Sequence, residues 1–467
     1  MNPVSEVTKL RRAVLTRVAR WALEKPLNEK TSEADITAMA KEIIPNGPAR
    51  YRCCIYKERA IIEERIHIIT DSYKEPSVKV ISEACNGCSV NKYVVTDACQ
   101  NCVAHPCRNS CPKKAISVIQ NRAFIDHTVC IECGKCAKAC PYHAIIEITR
   151  PCERACALKA VKIDDSRKAV IDSDRCVSCG MCVTVCPFGA ITDTSQMMDV
   201  IHSLRRKEVP QVAIVAPSLA GQFGAKVSVG QIKSALLRLG FDLVVEAALG
   251  ADIVAQQEAA EIREHYHSKL MTNSCCPAHA QAIRKNSPDL AGNISTTLSP
   301  MRVTGQLIKK KYDNKVTTIF IGPCIAKKSE AAQGPEIDLV LTFEELNAIF
   351  LAAGINPADQ IPAEMNDASA YGRLFARAGG VSNAVTRHLT DLSLDIIQVQ
   401  GLAQCLAALK SAAKKIGSGE FTFVEGMACE GGCIGGPGTL VTPTVATRAL
   451  EKYAGETTSV KKSDDDK

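Results

Sequence analysis

The residues of this chain best suited to chemistry are its cysteines. In Glu425 to Gly438, EGMACEGGCIGGPG, Cys429 and Cys433 have three residues between them and lie among six glycines. Thiolates bind soft iron, and glycine lets a backbone press against a bulky group that a Cβ would hold off. An iron-sulfur cubane takes four thiolates, so this stretch must borrow ligands. The other cysteines of the C-terminal half are Cys275, Cys276, Cys324 and Cys405. Cys405 shares the apolar side of a helical stretch with Leu402, Leu406 and Leu409 and reads as a core thiol. Five thiols then remain for a centre that needs four. Adjacent side chains diverge, so Cys275 and Cys276 cannot easily both face one iron. One of them is left as a free thiol beside the metal, a candidate proton donor.

Between Cys85 and Cys186 the cysteines form an array with an internal repeat. PCRNSCPKKAI (Pro106 to Ile116) returns 45 residues later as PCERACALKAV (Pro151 to Val161). CIECGKCAKACPYHAI (Cys130 to Ile145) returns 46 residues later as CVSCGMCVTVCPFGAI (Cys176 to Ile191). Zinc sites use two pairs across a longer loop, often with histidine, whereas C-x2-C-x2-C-x3-C-P is the bacterial cluster run. Duplicated ferredoxin-like modules explain the repeat, and in such modules the last cysteine of each run serves the neighbouring cluster. The expected sets are Cys111 with Cys130, Cys133 and Cys136, and Cys156 with Cys176, Cys179 and Cys182. The remainder divide into Cys99, Cys102, Cys107 and Cys140, and Cys85, Cys88, Cys152 and Cys186. About four 4Fe-4S accessory clusters follow, a wire that needs a terminus. Cys53 and Cys54 are adjacent, lack a partner at x2 spacing and read as ordinary structural thiols.

The elements that must position these groups fall into successive regions. Val4 to Leu23 and Glu33 to Ile44 have apolar residues at helical spacing, giving a helical N-terminal region over 1–84. A tandem ferredoxin-like domain is expected over 85–191 and a helical linker over 192–210. From Gln211, seven β-rich runs (QVAIVAP, DLVVEAA, KLMTN, KVTTIFIG, DLVLT, DIIQVQG and FTFVE) alternate with helical ones. Helices are expected at Gln231 to Leu239, Asp252 to Tyr266, Pro277 to Lys285, Glu344 to Leu351 and Ala403 to Lys415. The fold class is therefore α+β and α/β: ferredoxin-like iron-sulfur modules, then an α/β domain over 211–455 with mainly parallel sheets. Sites in such sheets gather where loops leave the carboxyl ends of strands, and Cys275, Cys324 and Cys429 each follow a strand, converging on one edge. The tail 456–467 reads as disordered.

Totals exclude some classes. With 46% hydrophobic residues the chain can bury more than one core. Its 57 basic against 50 acidic residues give +7, and aromatics are 4%. That is too mild a charge, with too few stacking rings, for nucleic acid, though it suits docking of an acidic electron carrier. No stretch of 18 apolar residues suggests a membrane span, and cysteines in chelating runs point to a reducing cytoplasm, so an anaerobic, cytoplasmic location is expected.

NSCCPAH (Asn273 to His279), GPCIAKK (Gly322 to Lys328) and EGMACEGGCIGG (Glu425 to Gly436) resemble the three signature segments of iron-only hydrogenases. The resemblance spans roughly Gln211 to Leu450, with the cysteine array as accessory domain. It implies an H-cluster, a cubane joined through a shared cysteine sulfur to a two-iron unit carrying CO, cyanide and a dithiolate. Cys276, Cys324, Cys429 and Cys433 would hold the cubane, and Cys275 would deliver protons. Lys327 matches a lysine on one cyanide, Ala216, Pro217 and Ser218 the loop lining the other, and Met427 a methionine packed on the two-iron unit. ADIVAQQEAAE places Glu258 and Glu261 at the family's relay glutamates, with Ser295 at its relay serine. On pattern alone two glutamates three apart read as solvated.

The resemblance implies reversible reduction of protons to H2, electrons from a ferredoxin or similar carrier, and dependence on maturation proteins. Its departures are His279 for the usual tryptophan, Gly322 for a methionine and Met301 for a glutamine, which point to a less typical subgroup. His279 reads as a packing residue. Alternatives are a non-catalytic hydrogenase-like protein, either a hydrogen sensor or an iron-sulfur assembly factor, and a plain electron carrier.

Overall fold

The computed structural model describes residues 5–27, 29–71, 73, 76–88, 91–414 and 421–456. Expectations at Val4, Lys415 and 457–467 lie outside the described residues. The first helix, Glu6–Glu24, starts where Ser5 Oγ accepts the Thr8 amide at 3.2 Å. It buries Val14, Leu15, Val18, Ala19, Trp21 and Ala22. Helix Glu33–Ile43 opens on a capping box of Ser32 and Asp35. A third helix, Ile55–Thr70, was not expected. Cys54 is its N-cap, while Cys53 is exposed, so that thiol is not a core residue.

Eight short strands build the iron-sulfur region: β1 (Val78–Val80), β2 (Tyr93–Val95), β3 (Ile116–Ile119), β4 (Arg122–Ile125), β5 (Ile145–Glu147), β6 (Val161–Ile163), β7 (Ala169–Ile171) and β8 (Ile191–Asp193). β2 pairs antiparallel with β5 and encloses the β3–β4 hairpin. β1 pairs antiparallel with β8 around the β6–β7 hairpin. The two modules are therefore not in simple tandem: the first, 93–147, is inserted into the second, whose opening strand and Cys85–Cys88 precede it. The repeat persists in the backbone, since left-handed Lys114 and Lys159 (φ 51 and 53), Glu132 and Ser178 (55 and 54), and Gly134 and Gly180 (74 and 78) recur in register.

The segment expected as a linker is part of the core. Helix Met197–Arg206 buries Met197, Met198, Val200, Ile201 and Leu204 in the same apolar cluster as the first helix and the following sheet. Seven strands follow: β9 (Gln211–Val215), β10 (Leu243–Glu246), β11 (Leu270–Thr272), β12 (Thr317–Gly322), β13 (Leu339–Thr342), β14 (Leu394–Gln400) and β15 (Phe421–Met427). All seven expected runs form strands, and their pairings are parallel. They make two sheets, ordered β10-β9-β12-β13 and β11-β15-β14. β9 is buried at every residue, as a strand covered on both faces must be.

Expected helices appear at Val229–Leu239, Ala247–Glu264, Pro277–Asn286, Phe343–Ala352 and Leu402–Lys414. The first helix packs on Phe343–Ala352, with Arg11 and Arg12 both bonded to Glu344 at 2.6 and 3.2 Å. No described helix is long and apolar enough to cross a membrane.

Candidate functional site

Three loops carry the C-terminal cysteines, and they leave two sheets instead of one edge. Cys275 and Cys276 follow β11, and Cys276 is the N-cap of helix Pro277–Asn286. Cys324 follows β12. Cys429 and Cys433 follow β15 in a turn held by Gly432, whose φ is +85 and whose added Cβ would lie 2.7 Å from the Ala378 amide nitrogen. Only glycine fits there. The site thus lies between the carboxyl ends of both sheets.

Cys276, Cys324 and Cys433 all lie close enough to Cys429 for their charges to act on it. Burial, then the neighbouring Cys276 charge, pushes the Cys324 thiol up to about 11. Burial, then Cys324 and Cys276, pushes Cys433 up to about 12. Burial, then Cys324, Cys276 and Cys433, holds Cys429 well above the ordinary thiol range. Four gathered sulfurs of this kind carry negative charge together only around a cationic core, so the donor set fits an iron-sulfur group.

Beside them is a cavity lined by Ala216, Pro217, Ser218, Cys275, Met301, Phe320, Cys324, Lys327, Met427 and Cys433. Cys276 and Cys429 are not among its lining residues. Ser218 Oγ is buried without a hydrogen-bond partner, an orphaned donor in an apolar wall. Lys327 Nζ donates to Ser299 Oγ at 3.0 Å and to the Cys275 carbonyl at 3.3 Å, and pairs with Glu330 at 2.6 Å. Burial alone would lower its pKa, but Glu330 and then Cys324 and Cys275 raise it, so the cation persists. A buried cation and an orphaned hydroxyl in one apolar cavity fit a compact group bearing small anionic ligands.

Cys275 lines that cavity, and burial followed by the Glu258 charge holds its thiol well above the ordinary range. Asn273 Nδ2 donates to its sulfur at 3.1 Å. Behind it, Glu258 is fully buried on helix Ala247–Glu264, with Oε1 accepting the Ser274 amide at 3.3 Å and Oε2 unpartnered. Burial pushes this carboxyl up to about 8. Ser295 Oγ donates to Glu261 Oε2 at 2.6 Å, and the Thr296 amide donates to Glu261 Oε1 at 2.8 Å. Glu261 is partly exposed.

His279 is buried against the Gly426 backbone, where an added Cβ would collide with its ring. Its Nε2 bonds Thr272 Oγ1 at 2.9 Å, and burial lowers its pKa to about 4. It is therefore a neutral packing residue. Cys405 is buried, with its sulfur 3.4 Å from the Met427 carbonyl oxygen. The sequence reading gave no role to Asn273, Ser299, Glu330 or Phe320. Asn273 lies inside NSCCPAH, Phe320 and Glu330 flank GPCIAKK and Ser299 stands in none of the signature segments; only the fold brings the last three to the site.

The accessory cysteines stand around separate voids. Cys99, Cys102, Cys107 and Cys140 line one. Cys111, Cys130, Cys133 and Cys136 line a second. Cys156, Cys176, Cys179 and Cys182 line a third. Burial, then the nearby Cys186, Cys88 and Cys85, pushes the Cys152 thiol up to about 11, so these four also stand together. Among the described residues no three His, Cys, Asp or Glu side chains meet closely enough to hold a single metal ion. Sulfurs set around a void suit a polynuclear core.

The family profile "Iron only hydrogenase large subunit, C-terminal domain" matches residues 209–437, and "4Fe-4S binding domain" matches 123–146 and 169–192. Iron hydrogenase 1 of Clostridium pasteurianum is 27% identical over 405 residues, 73% of this chain and 69% of that one. The periplasmic Fe hydrogenase large subunit of Nitratidesulfovibrio vulgaris is 30% identical over 310 residues, 54% of this chain and 73% of that one. A cytosolic Fe-S cluster assembly factor, NAR1 of Yarrowia lipolytica, is 32% identical over 126 residues, 25% of this chain and 26% of that one. With its C-terminal cysteines gathered behind a cavity and 4Fe-4S domains preceding them, the chain belongs to the iron-only hydrogenase family.

Proposed function

We propose that this protein is a hydrogenase that reversibly reduces protons to H2, with Cys275 as the proton-delivering group. The observation that carries this reading is a set of neighbouring contacts: Cys275 lines the cavity, the amide of the adjacent Ser274 donates to the buried Glu258 at 3.3 Å, and Ser295 donates to the partly exposed Glu261 at 2.6 Å. Cys276, Cys324, Cys429 and Cys433 would hold the cubane of an H-cluster, whose two-iron unit, when bound, would supply the redox chemistry. Lys327 and the orphaned Ser218 hydroxyl would orient anionic ligands, and Ala216, Pro217, Met301, Phe320 and Met427 would exclude water. Glu261 takes a proton from solvent and Ser295 relays it. Glu258, whose pKa sits near neutrality, holds it and passes it toward Cys275 Sγ.

Electrons would come from a ferredoxin-like carrier through about four accessory clusters, and maturation proteins would supply the two-iron unit. Infrared spectroscopy of anaerobically matured protein, together with H2 evolution from reduced viologen, tests the proposal. Absence of metal-bound CO and cyanide bands after maturation would falsify it.

The resemblance to NAR1, and His279 and Gly322 at departing positions, favour as a second reading a non-catalytic relative, an assembly factor or a hydrogen sensor. An assembly factor needs no proton route, so the buried Glu258 and its hydrogen-bonded neighbours count against it. Matured protein with the bands but no turnover would favour sensing.

A further inference from the structure

We propose that Arg150 sets the reduction potential of the accessory cluster held by Cys85, Cys88, Cys152 and Cys186, directing an unshared guanidinium N–H at it and making it easier to reduce than its repeat counterpart at Cys99, Cys102, Cys107 and Cys140. Arg150 is only 4% exposed and is the N-cap of helix Pro151–Ala155, two residues before Cys152. Its Nη2 donates to the Arg167 carbonyl at 2.8 Å. Its Nη1 is shut off from solvent and has no protein partner. A buried charged donor left without an acceptor carries the full cost of its desolvation, so an acceptor belongs there. Cys152, two residues on, is buried in one apolar cluster with Cys85, and Cys186 packs against that cluster, so Arg150 stands at the edge of this ligand set. A cluster sulfide or thiolate is the acceptor this location offers.

The internal repeat supplies the contrast. The residue before Pro106–Cys107, matching Arg150 before Pro151–Cys152, is His105, which is only half-buried and takes a left-handed φ of 40. Net charge and hydrogen bonds to sulfur set cluster potentials, so a fixed cation at one of two otherwise similar sites separates them. Arg150 also lies where the modules meet. The Glu132 amide donates to Cys130 Sγ at 3.4 Å, Arg167 Nη2 donates to Glu132 Oε1 at 3.1 Å, and Arg150 holds the Arg167 carbonyl. A hydrogen-bonded chain thus runs from a ligand of one module to the cation beside a ligand of the other. An electron crossing from the inserted module arrives at the site Arg150 makes more receptive.

This inference rests on the accessory cubanes being bound. Dye-mediated redox titration of the reconstituted full chain, followed by electron paramagnetic resonance, tests it. Arg150→Gln should lower the reduced-to-oxidised ratio of one accessory cluster about tenfold at fixed ambient potential, ~59 mV for a one-electron couple, leaving the others in place. Arg150→Lys, which keeps the charge, should restore most of the shift. Unmoved potentials in Arg150→Gln, or loss of that cluster in both variants, would overturn the role of Arg150. Wild-type protein without reduced-cluster signals would instead sink the accessory-cluster reading itself.

Discussion

At the scale of single residues, two of the four side chains in the proposed proton route, Cys275 and Glu258, separate experimentally. Cys275 touches the cavity but is not needed to complete the four-thiol set, so Cys275→Ala should keep its iron-sulfur and diatomic-ligand spectra. H2 turnover with reduced viologen should fall by roughly 10²–10⁴-fold, the usual contribution of a positioned acid. Full activity in that variant would remove Cys275 from the mechanism. Glu258 has a second signature, in stability. Its carboxyl titrates at about 8 in the fold against 4.5 outside it. The raised pKa means that the stabilisation is fully present below pH 4.5 and is lost as pH rises toward 8, because the unfolded chain ionises first. The slope is ~1.4 kcal/mol per pH unit within that window. Glu258→Gln should therefore flatten the fall in denaturation midpoint between pH 5 and 7.5, as well as slowing turnover. An unchanged slope would mean that Glu258 is not the buried acid described here.

At the scale of elements, Gly322 shows how one position depends on its neighbours. A Cβ there would lie 2.6 Å from the Phe320 ring and 3.2 Å from Ala216 Cβ. Phe320 already lines the cavity. The bulk that a methionine would bring is thus supplied from two residues earlier on β12. Gly322→Met should cost ~1–3 kcal/mol as overpacking, and Phe320→Ala in the same chain should recover part of it. Simple addition of the two losses in denaturant titrations would disprove the shared space. The seven strands of the C-terminal domain were legible because β-rich runs alternate with helical ones. Their division into two sheets was not, since β11 falls in sequence between strands of the other sheet. Helix Ile55–Thr70 was hidden for a different reason. Its buried face carries Glu58 and Arg65 beside Ile62, Ile66 and Ile69, which breaks the apolar stripe. Glu58 is spent on the amides of Arg50, Tyr51 and Arg52, and Arg65 on the Gly189 carbonyl. Those partners are distant or irregular, and periodicity cannot register them. The cysteine sets were legible from spacing, whereas Asn273 and Ser299 depend on tertiary approach.

At the scale of the whole molecule, the proposed function requires the iron-sulfur region and the C-terminal domain to stay in register for electrons to arrive. Cys156 and Cys179 share an apolar cluster with Cys276 and Cys324, so the last accessory site adjoins the C-terminal one. Gly180, at φ +78, lets that loop meet the C-terminal domain; an added Cβ would lie 2.7 Å from Pro437 and 2.8 Å from Ile325. Behind this contact Lys328 is fully buried, and its Nζ donates to Asp193 at the end of β8, to the Thr194 carbonyl, and to Glu345, at 2.9, 2.7 and 2.9 Å. Glu345 caps helix Phe343–Ala352, the helix on which the first helix docks. One cation therefore ties three parts of the chain together. Burial alone would lower its pKa, but the Asp193 and Glu345 carboxylates raise it well above the ordinary lysine range. Lys328→Met fills similar space but strands two carboxylates, one of them fully enclosed, and should cost ~3–5 kcal/mol. Lys328→Met with Glu345→Gln should recover part of that loss, since only the charge imbalance is being relieved. If the single variant unfolds at the wild-type denaturant concentration, the domains are held by their apolar contact alone, and the buried cation is dispensable to their register.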